Sequence, residues 1–293
     1  MIYGLVVASD MGLPDLLPWD QAGAPDITIK SGEIDWFAST NPPNLDDYVR
    51  AAPDDLMINI PDKLMMRMRW GKEITYQPTG AISDAELQAY VLGSGIGGIL
   101  AQRGHLTLHA SAFAPPGGSA IICLGESGAG KSTTAAAMMQ RGYRVLADDI
   151  CAVTGDGLIH AGLSRMKLWD ETASGLGIAT EELEHIPGNR AKWNVPVPAG
   201  LSDATYQPGL IILLETSASA AASATRLTGF EKFAAIRNNI YRPIFNQALR
   251  IEAACLEQVS VLGSSVEMFK LTRPQLGFET AALTQIIAEL HAS

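Results

Sequence analysis

The chain has 293 residues, of which 47% are hydrophobic and 18% are charged, so it can bury a sizeable core and is not a disordered protein. Its 31 acidic residues outnumber its 21 basic ones and give a net charge of −10. Duplex nucleic acids and anionic membranes are bound mainly through clustered Lys and Arg side chains, so neither is expected as a partner.

The first part of the chain, residues 1–90, predicts a small β-rich domain. Short β-prone runs alternate with turns there, and repeated prolines argue against long helices. The clearest pattern is a hairpin over residues 64–78, with its turn at Gly71 and Lys72. We interpret this part as the place where the chain recognises the molecule on which the main domain acts.

Neither a secretion signal nor a membrane span is expected. The N-terminal stretch "MIYGLVVASDMGLPDL" lacks a basic region, and its apolar run is broken at Asp10. No apolar run approaches the ~20 residues that a spanning helix needs. Cys123, Cys151 and Cys255 have no CxxC spacing, which predicts buried thiols rather than a zinc site or a disulfide. The expected location is the cytoplasm.

Residues 83–102 predict a helix that joins this part to the main domain, which we place at residues 91–293. Ser83 and Glu86 form the Ser-x-x-Glu capping box that is typical of a helix start. Four glycines inside this helix predict close packing or a kink: Gly93, Gly95, Gly97 and Gly98.

The next elements predict a βαβ unit. An alternating strand, "HLTLHASAFAP", comes before the apolar run "AIICLG", which is typical of a buried strand in a parallel sheet. A glycine-rich loop, a helix over residues 131–141 and the strand "YRVLA" then follow. We expect "YRVLA" to lie parallel to "AIICL" and to end at the same edge of the sheet. Downstream, we predict a buried strand over residues 209–215, a helix that ends near Pro243 and a C-terminal amphipathic helix.

A phosphate-binding loop is predicted at "GESGAGKS", residues 125–132, which matches the pattern G-x-x-x-x-G-K-[ST] in full. Its glycines allow positive φ and a close approach of the backbone N–H groups to phosphate. Lys131 is expected to reach the β- and γ-phosphates of ATP, and the Ser132 hydroxyl is expected to ligate Mg²⁺. The expected nucleotide-binding residues are Gly125, Glu126, Ser127, Gly128, Ala129, Gly130, Lys131, Ser132 and Thr133.

Two aspartates, Asp148 and Asp149, follow "YRVLA" directly and are therefore expected at the sheet edge that holds the phosphate loop. Adjacent side chains on a strand point to opposite faces, which predicts two different roles. Beside a triphosphate, carboxylates can hold Mg²⁺ or accept the proton of an attacking hydroxyl. The alternative interpretation is a polar strand end that caps the next turn.

Four segments resemble the HPr kinase/phosphorylase-like proteins in their order and spacing, over about residues 100–290: "LHASAF", "GESGAGKST", "RGYRVLADD" and "GLSRMKLW". With "GLVVASDMGLPDLLP" and "LAQRGHLTLHAS", the N-terminal part resembles the short branch of this family that includes kinases of lasso-peptide precursors. The resemblance implies an α/β fold, namely a P-loop kinase core of the HPr kinase/phosphoenolpyruvate carboxykinase type with a small β-rich N-terminal domain. It also implies transfer of the γ-phosphoryl group of ATP, with Mg²⁺, to a serine hydroxyl of a peptide or small protein, with a lasso precursor as the implied acceptor.

The resemblance also implies roles for the candidate catalytic residues. Asp148 would be the general base, and Asp149 would lie on the metal side with Ser132, although the order of the two aspartates is left open. Lys131 would serve ATP, and His109 would orient the aspartate or the phosphoryl group. Without the resemblance, His109 on an alternating strand is interpreted as a core histidine.

The region after the aspartates departs from the bifunctional members of this family. Those enzymes carry an acidic residue in a glycine-rich signature, whereas this chain has Arg165 and Lys167 there. The departure argues against phosphorylase activity and predicts either a basic wall near the phosphates or solvated surface charge. Further basic residues have two interpretations, a phosphate contact or a salt-bridged face: Lys192, Arg237 and Arg242.

Several other functions are compatible with the phosphate loop. They include an HPr(Ser) kinase/phosphorylase, a non-catalytic ATP-binding sensor or assembly factor, and a small-molecule kinase. A conventional NTPase is a further alternative, because Glu215 ends an apolar strand where it could position water; a central buried strand explains the same pattern. The expected partner is a peptide or small-protein acceptor, without nucleic acid or membrane, and a homo-oligomer is left open.

Overall fold

The protein is described by a computed structural model, in which it has a mixed α/β fold built from several sheets. The structure describes residues 1–16, 18, 23–37, 48–186, 189–197, 204–217, 222–274 and 280–292. Side chains are described throughout these segments except at positions 189 and 190.

An N-terminal sheet is built from β1 (Val7–Ser9), β2 (Ile27–Ser31), β3 (Val49–Ala52), β4 (Asp55–Ile60), β5 (Leu64–Arg69) and β6 (Glu73–Pro78). The strands pair in the order β1-β2-β6-β5-β4-β3, and the predicted hairpin is confirmed as the antiparallel pair β5 and β6. Alternate side chains of β5 are buried, among them Met66 and Met68, because one face of this sheet packs on the core.

The predicted joining helix is present, with a π-helical turn in its middle. It consists of α1 (Asp84–Tyr90), the π turn Val91–Gly95 and α2 (Ile96–Gln102). The Ser83 hydroxyl accepts the Glu86 N–H at 3.3 Å, as the capping box predicts. A Cβ on Gly98 would lie 2.9 Å from the Met68 side chain, so the close packing predicted from the glycines is confirmed.

A central mixed sheet carries the second half of the fold, with smaller sheets beside it. The chain runs through β7 (Leu106–Leu108), β8 (Ser111–Ala114), β9 (Ala120–Leu124), α3 (Lys131–Gln140), β10 (Arg144–Ala147), β11 (Cys151–Val153), β12 (Ile159–His160), β13 (Arg165–Trp169), α4 (Asp170–Gly175), β14 (His185–Ile186), β15 (Asn189–Pro196), β16 (Thr205–Tyr206), β17 (Pro208–Ser217), β18 (Ser223–Arg226), α5 (Gly229–Asn238), α6 (Pro243–Leu249), α7 (Glu252–Ser265), β19 (Glu267–Pro274) and α8 (Thr280–Ala292). The central strand order is β10-β8-β9-β17-β19-β18.

The strand β10 runs in the same direction as β9, as predicted, but the two are not neighbours. β8 lies between them and is antiparallel to both. On its other side β9 pairs in parallel with β17. The start of β8 therefore meets the ends of β9 and β10 at one edge of the sheet, where α/β folds bind ligands.

The predicted strand over "HLTLHASAFAP" is two strands in different sheets. β7 pairs with β11, whereas β8 belongs to the central sheet, and the chain changes sheets at His109 and Ala110. The backbone N–H of His109 donates to the Asn239 carbonyl at 2.7 Å instead of to a ladder partner. Alternation of polar and apolar residues does not reveal this break, because the pattern continues through it.

The helix predicted to end near Pro243 is also divided in two. α5 ends at Asn238, the chain leaves helical geometry over residues 239–242, and α6 begins at Pro243. Proline fits the first position of a helix, which explains the restart. The predicted C-terminal helix is confirmed as α8.

Candidate active site

The phosphate-binding pattern forms the loop between β9 and α3. Gly125, Gly128 and Gly130 have φ values of 145°, 86° and 106°, which L side chains rarely adopt. A Cβ on Gly125 would also lie 2.5 Å from the Leu214 carbonyl oxygen, so there is no space for one. The glycines thus allow the backbone conformation that the sequence pattern predicts.

Lys131 begins α3 and closes the loop. Its Nζ donates to the carbonyl oxygens of Gly125 at 2.7 Å and Glu126 at 3.1 Å. Burial lowers the pKa of this ammonium group. The positive end of the α3 dipole faces the same loop, so the ammonium and the helix together favour an anion there.

Asp148 is held by hydrogen bonds to both of its carboxylate oxygens. Oδ1 accepts from Ser111 Oγ at 2.6 Å and from Ser132 Oγ at 2.8 Å, and Oδ2 accepts from the Lys167 backbone N–H at 3.0 Å. The carboxylate therefore lies directly beside the hydroxyl of Ser132, the residue that follows Lys131.

Asp149 points in another direction, but not for the reason that the sequence suggested, because β10 ends at Ala147 and neither aspartate continues the strand. Its Oδ2 lies 2.9 Å from Lys167 Nζ, and its Oδ1 lies 3.1 Å from His109 Nδ1. Burial alone would raise the pKa of Asp149, but the hydrogen bond with His109 and the Lys167 charge hold it well below its usual range. The carboxylate is thus ionised at neutral pH.

The contacts at Ser132 differ from the assignment made on the sequence. Asp149 was expected on the metal side with Ser132, but the carboxylate that contacts the Ser132 hydroxyl is that of Asp148. The physical reason is the backbone of Asp149, whose φ of 81° turns its side chain out of the strand direction and towards His109.

The two basic residues after the aspartates have separate surroundings. Lys167 lies at the site, where it contacts both aspartates. Arg165 is paired instead with Asp15 of the N-terminal part. The interpretation as a basic wall near the phosphate loop therefore fits Lys167 and does not fit Arg165.

Three residues at the site were not identified from the sequence: Ser111, Asn239 and Arg273. Asn239 Oδ1 accepts the Gly125 N–H at 3.0 Å, and Arg273 Nε donates to the Ala129 carbonyl at 2.9 Å. Both support the phosphate loop from elements late in the chain. Of the three, only Arg273 could have been predicted from the sequence, because a basic residue near the end of a strand in an α/β fold is expected close to a ligand site.

Two clefts open on either side of the phosphate loop. The first, of about 950 Å³, is lined by Lys131, Ser132 and Arg273 together with residues of β13 and α4. The second, of about 1180 Å³, is lined by the start of the loop, the end of β17 and residues 238–242. Both clefts are bordered by the same four residues, namely His109, Ser127, Gly128 and Asp149.

The donor set beside the loop fits a magnesium ion. Within the described segments no cluster of three or more His, Cys, Asp or Glu side chains could hold a metal by itself. Ser132 Oγ and Asp148 Oδ1, which share a hydrogen bond of 2.8 Å, are nevertheless two oxygen atoms of the type that binds Mg²⁺. Mg²⁺ is usually bound by one or two carboxylates together with water and substrate phosphates, so a larger protein cluster is not required.

Comparisons with other proteins do not assign a family. The chain matches no model of a known protein family and no curated protein. Among the helices in the described segments, none is long and apolar enough to cross a bilayer. The functional argument therefore depends on the geometry of the site.

Proposed function

We propose that the protein is an ATP-dependent kinase that transfers the γ-phosphoryl group to a serine hydroxyl of a peptide or small protein. The proposal includes a P-loop kinase core of the HPr kinase type and a lasso precursor peptide as the acceptor. One observation carries it: Asp149, paired with His109 and Lys167, borders both clefts beside a complete phosphate-binding loop.

The first cleft supplies the groups that an ATP triphosphate requires. The N–H groups of the glycine loop, the Lys131 ammonium and the N-terminus of α3 would bind the phosphate oxygens. Ser132 and Asp148 would hold Mg²⁺, which neutralises phosphate charge when it is bound. The contact between Ser132 and Asp148 supports this role for Asp148.

Asp149 would then act as the general base, which reverses the roles suggested by the sequence. As the hydroxyl oxygen forms its bond to the γ-phosphorus, the bond from that phosphorus to the bridging oxygen of ADP breaks, and the hydroxyl proton passes to Asp149. His109 and Lys167 hold the carboxylate in position. The low pKa of Asp149 keeps the carboxylate ionised and also makes it a weak base, so the proton passes to it only as the new bond between oxygen and phosphorus forms.

The test measures label transfer from γ-labelled ATP, with Mg²⁺, to serine peptides that include the precursor encoded beside this chain's gene. We expect labelled phosphoserine, and Asp149→Asn should lower the rate by about 10²–10⁴-fold because the base is lost. Asp156→Asn, a change in an exposed turn, is the matched control and should keep the wild-type rate. ATP binding without transfer to any hydroxyl would favour a sensor instead, and equal rates for wild type and Asp149→Asn would remove Asp149 as the base.

A further inference from the structure

We propose that the second cleft binds the acceptor peptide and that Arg242 recognises a carboxylate group of that peptide. This inference rests on the proposed kinase function and names the chemistry of its acceptor. It is carried by the arrangement of the two clefts and by the environment of the Arg242 guanidinium.

The clefts meet where phosphoryl transfer would occur. Lys131 and Ser132 line the first cleft only, whereas Asp149 and His109 line both. In an in-line displacement the attacking oxygen approaches phosphorus from the side opposite the leaving oxygen. A triphosphate in the first cleft therefore leaves the second cleft as the approach for the hydroxyl, and the proposed base lies at the junction.

The size of the second cleft favours a peptide over a small acceptor. Its volume of about 1180 Å³ exceeds the range of roughly 300–1,000 Å³ that is common for small-molecule sites. Residues of β17 and residues 238–242 form its walls, and it is an open cleft and not a closed pocket. Several residues of an extended chain can lie there with one hydroxyl at Asp149.

Arg242 is a cation whose charge is not neutralised within the described segments. Its Nε donates to the Tyr241 hydroxyl at 3.2 Å, and its guanidinium lies 5.6 Å and 5.8 Å from the ring centres of Tyr241 and Phe245. No carboxylate of the described residues lies within salt-bridge distance of it, whereas Arg67 and Arg165 are each paired with an aspartate. The two rings hold a guanidinium that is free to bind a carboxylate through two parallel hydrogen bonds.

The backbone of Arg242 is held in an unfavourable conformation. Its φ of 44° and ψ of 66° are left-handed, and it precedes Pro243, which favours an extended backbone in the residue before it. Neighbouring bonds hold it there, since the Tyr241 N–H donates to the Thr107 carbonyl at 2.9 Å and the Phe245 N–H donates to the Arg242 carbonyl at 2.9 Å. Such strained positions cluster at ligand-binding sites, where the conformation aims a side chain.

The other charges of the cleft argue against a simple anion as its ligand. Glu126, Asp149 and Glu215 line the same cleft, so its three carboxylates outnumber the one guanidinium. A compact polyanion such as inorganic phosphate would be repelled by this negative charge, whereas a peptide can place its single carboxylate at Arg242 and its uncharged residues beside the acidic side chains. The expected acceptor therefore carries its hydroxyl and one carboxylate at separate positions.

The experiment measures the KM of four serine peptides that differ only in whether they carry a carboxylate group. One pair has Asp or Asn beside the serine, and the other pair has a free or an amidated C-terminus. We expect at least one carboxylate peptide to have a KM lower by about tenfold than its neutral partner, and the pair that shows the difference identifies the source of the carboxylate. Equal KM values within both pairs would overturn the proposal.

Variants at Arg242 give the second half of the experiment. Arg242→Gly, which accommodates the left-handed backbone, should raise the KM of the preferred peptide to that of its neutral partner. Arg242→Glu should shift the preference to a Lys-containing peptide. Arg250→Ala removes an exposed arginine that is also left-handed, at the other end of α6, and should behave like the wild type. A rise in the KM for ATP instead would place Arg242 at the phosphates and overturn the inference.

The outcomes separate this inference from the proposed function. Transfer to serine without any carboxylate preference would leave the kinase proposal standing and remove the role of Arg242. No transfer to any of the peptides, with ATP still bound, would remove the kinase proposal and this inference with it.

Discussion

The N-terminal sheet and the central sheet use their charged side chains in different ways. On the N-terminal sheet, charges are paired between neighbouring strands, as Lys30 is with Glu73 at 2.7 Å and Arg67 is with Asp55. These pairs are partly exposed, and such pairs contribute only about 0–1 kcal/mol each to stability. In the described segments, neither of the two clefts at the phosphate loop is lined by residues of this sheet.

At the edge of the central sheet the polar side chains converge. Asp148 contacts Ser111 and Ser132, which lie 37 and 16 residues away in the sequence, and Asn239 bonds to Gly125 across 114 residues. The ends of β9, β10 and β17 and the start of β8 meet there, so separate segments deliver their side chains to one place. The comparison shows that this chain gathers the polar side chains of the candidate site at the ends of strands and not on the face of a sheet.

The difference between the two sheets is tested most strongly by a change in the phosphate loop, which should have the largest effect on the transfer rate. Lys131→Ala removes the buried ammonium at the loop and should lower kcat/KM for transfer by about 10³-fold, as expected for a lost group that stabilises developing charge. Lys30→Ala, which breaks the Lys30–Glu73 pair, is the matched control and should change the rate less than about twofold, because an exposed pair contributes little. Similar losses in both variants would contradict the distinction between the two sheets.

A somewhat smaller effect, on stability, is expected from the N-terminal core. Ile74 on β6 is fully buried, and a Cβ on Gly95 would lie 3.3 Å from its Cδ1. Ile74→Ala should lower the free energy of unfolding by about 2–5 kcal/mol, because it leaves a cavity beside the π turn. Urea unfolding measures the change. The exposed neighbour Thr28→Ala on β2 should cost less than about 0.5 kcal/mol, and equal costs would argue against a packed interface between sheet and helix.

The smallest expected effect is a change in the pH dependence of the transfer rate. The Asp149 carboxyl has a lowered pKa, so the favourable contacts of its ionised form are present above the unfolded-state pKa of about 3.9 and are lost as pH falls through the lower folded value. Lys167→Met removes the ammonium and should raise the pKa of Asp149, which moves the acid limb of the rate profile to higher pH. At the acid end the rate should fall about tenfold below that of the wild type. An unchanged acid limb would show that Lys167 does not act through Asp149.

The sequence predicted the backbone conformation of the glycine loop and the sheet edge at which the aspartates lie. The glycine pattern requires left-handed backbone at residues 125, 128 and 130, and the structure has it there. The order of strand, loop, helix and strand brings Asp148 and Asp149 to the loop whatever lies between the strands. Local chemistry and chain direction were sufficient for both predictions.

The remaining features depend on pairing choices that the pattern does not encode. Nothing in "SAFA" indicates that β8 would insert between β9 and β10, so its serine at the strand start was not expected beside Asp148. The contacts of Asp149 follow from a single left-handed residue, and non-glycine residues adopt that conformation too rarely to be predicted. Asn239 reaches the loop only because α5 ends where it does.

Gly97 and Gly98 in α2 allow the wall of the second cleft and the core of the N-terminal sheet to pack closely against the backbone of the same helix. A Cβ at Gly97 would lie 2.8 Å from the ring of Tyr241, and a Cβ at Gly98 would lie 2.9 Å from the end of Met68. Tyr241 lines the second cleft, whereas Met68 belongs to the core of the N-terminal sheet. A larger side chain in that core would therefore displace α2 towards Tyr241 and narrow the second cleft. The N-terminal sheet can in this way influence which molecules bind in the cleft without contacting them.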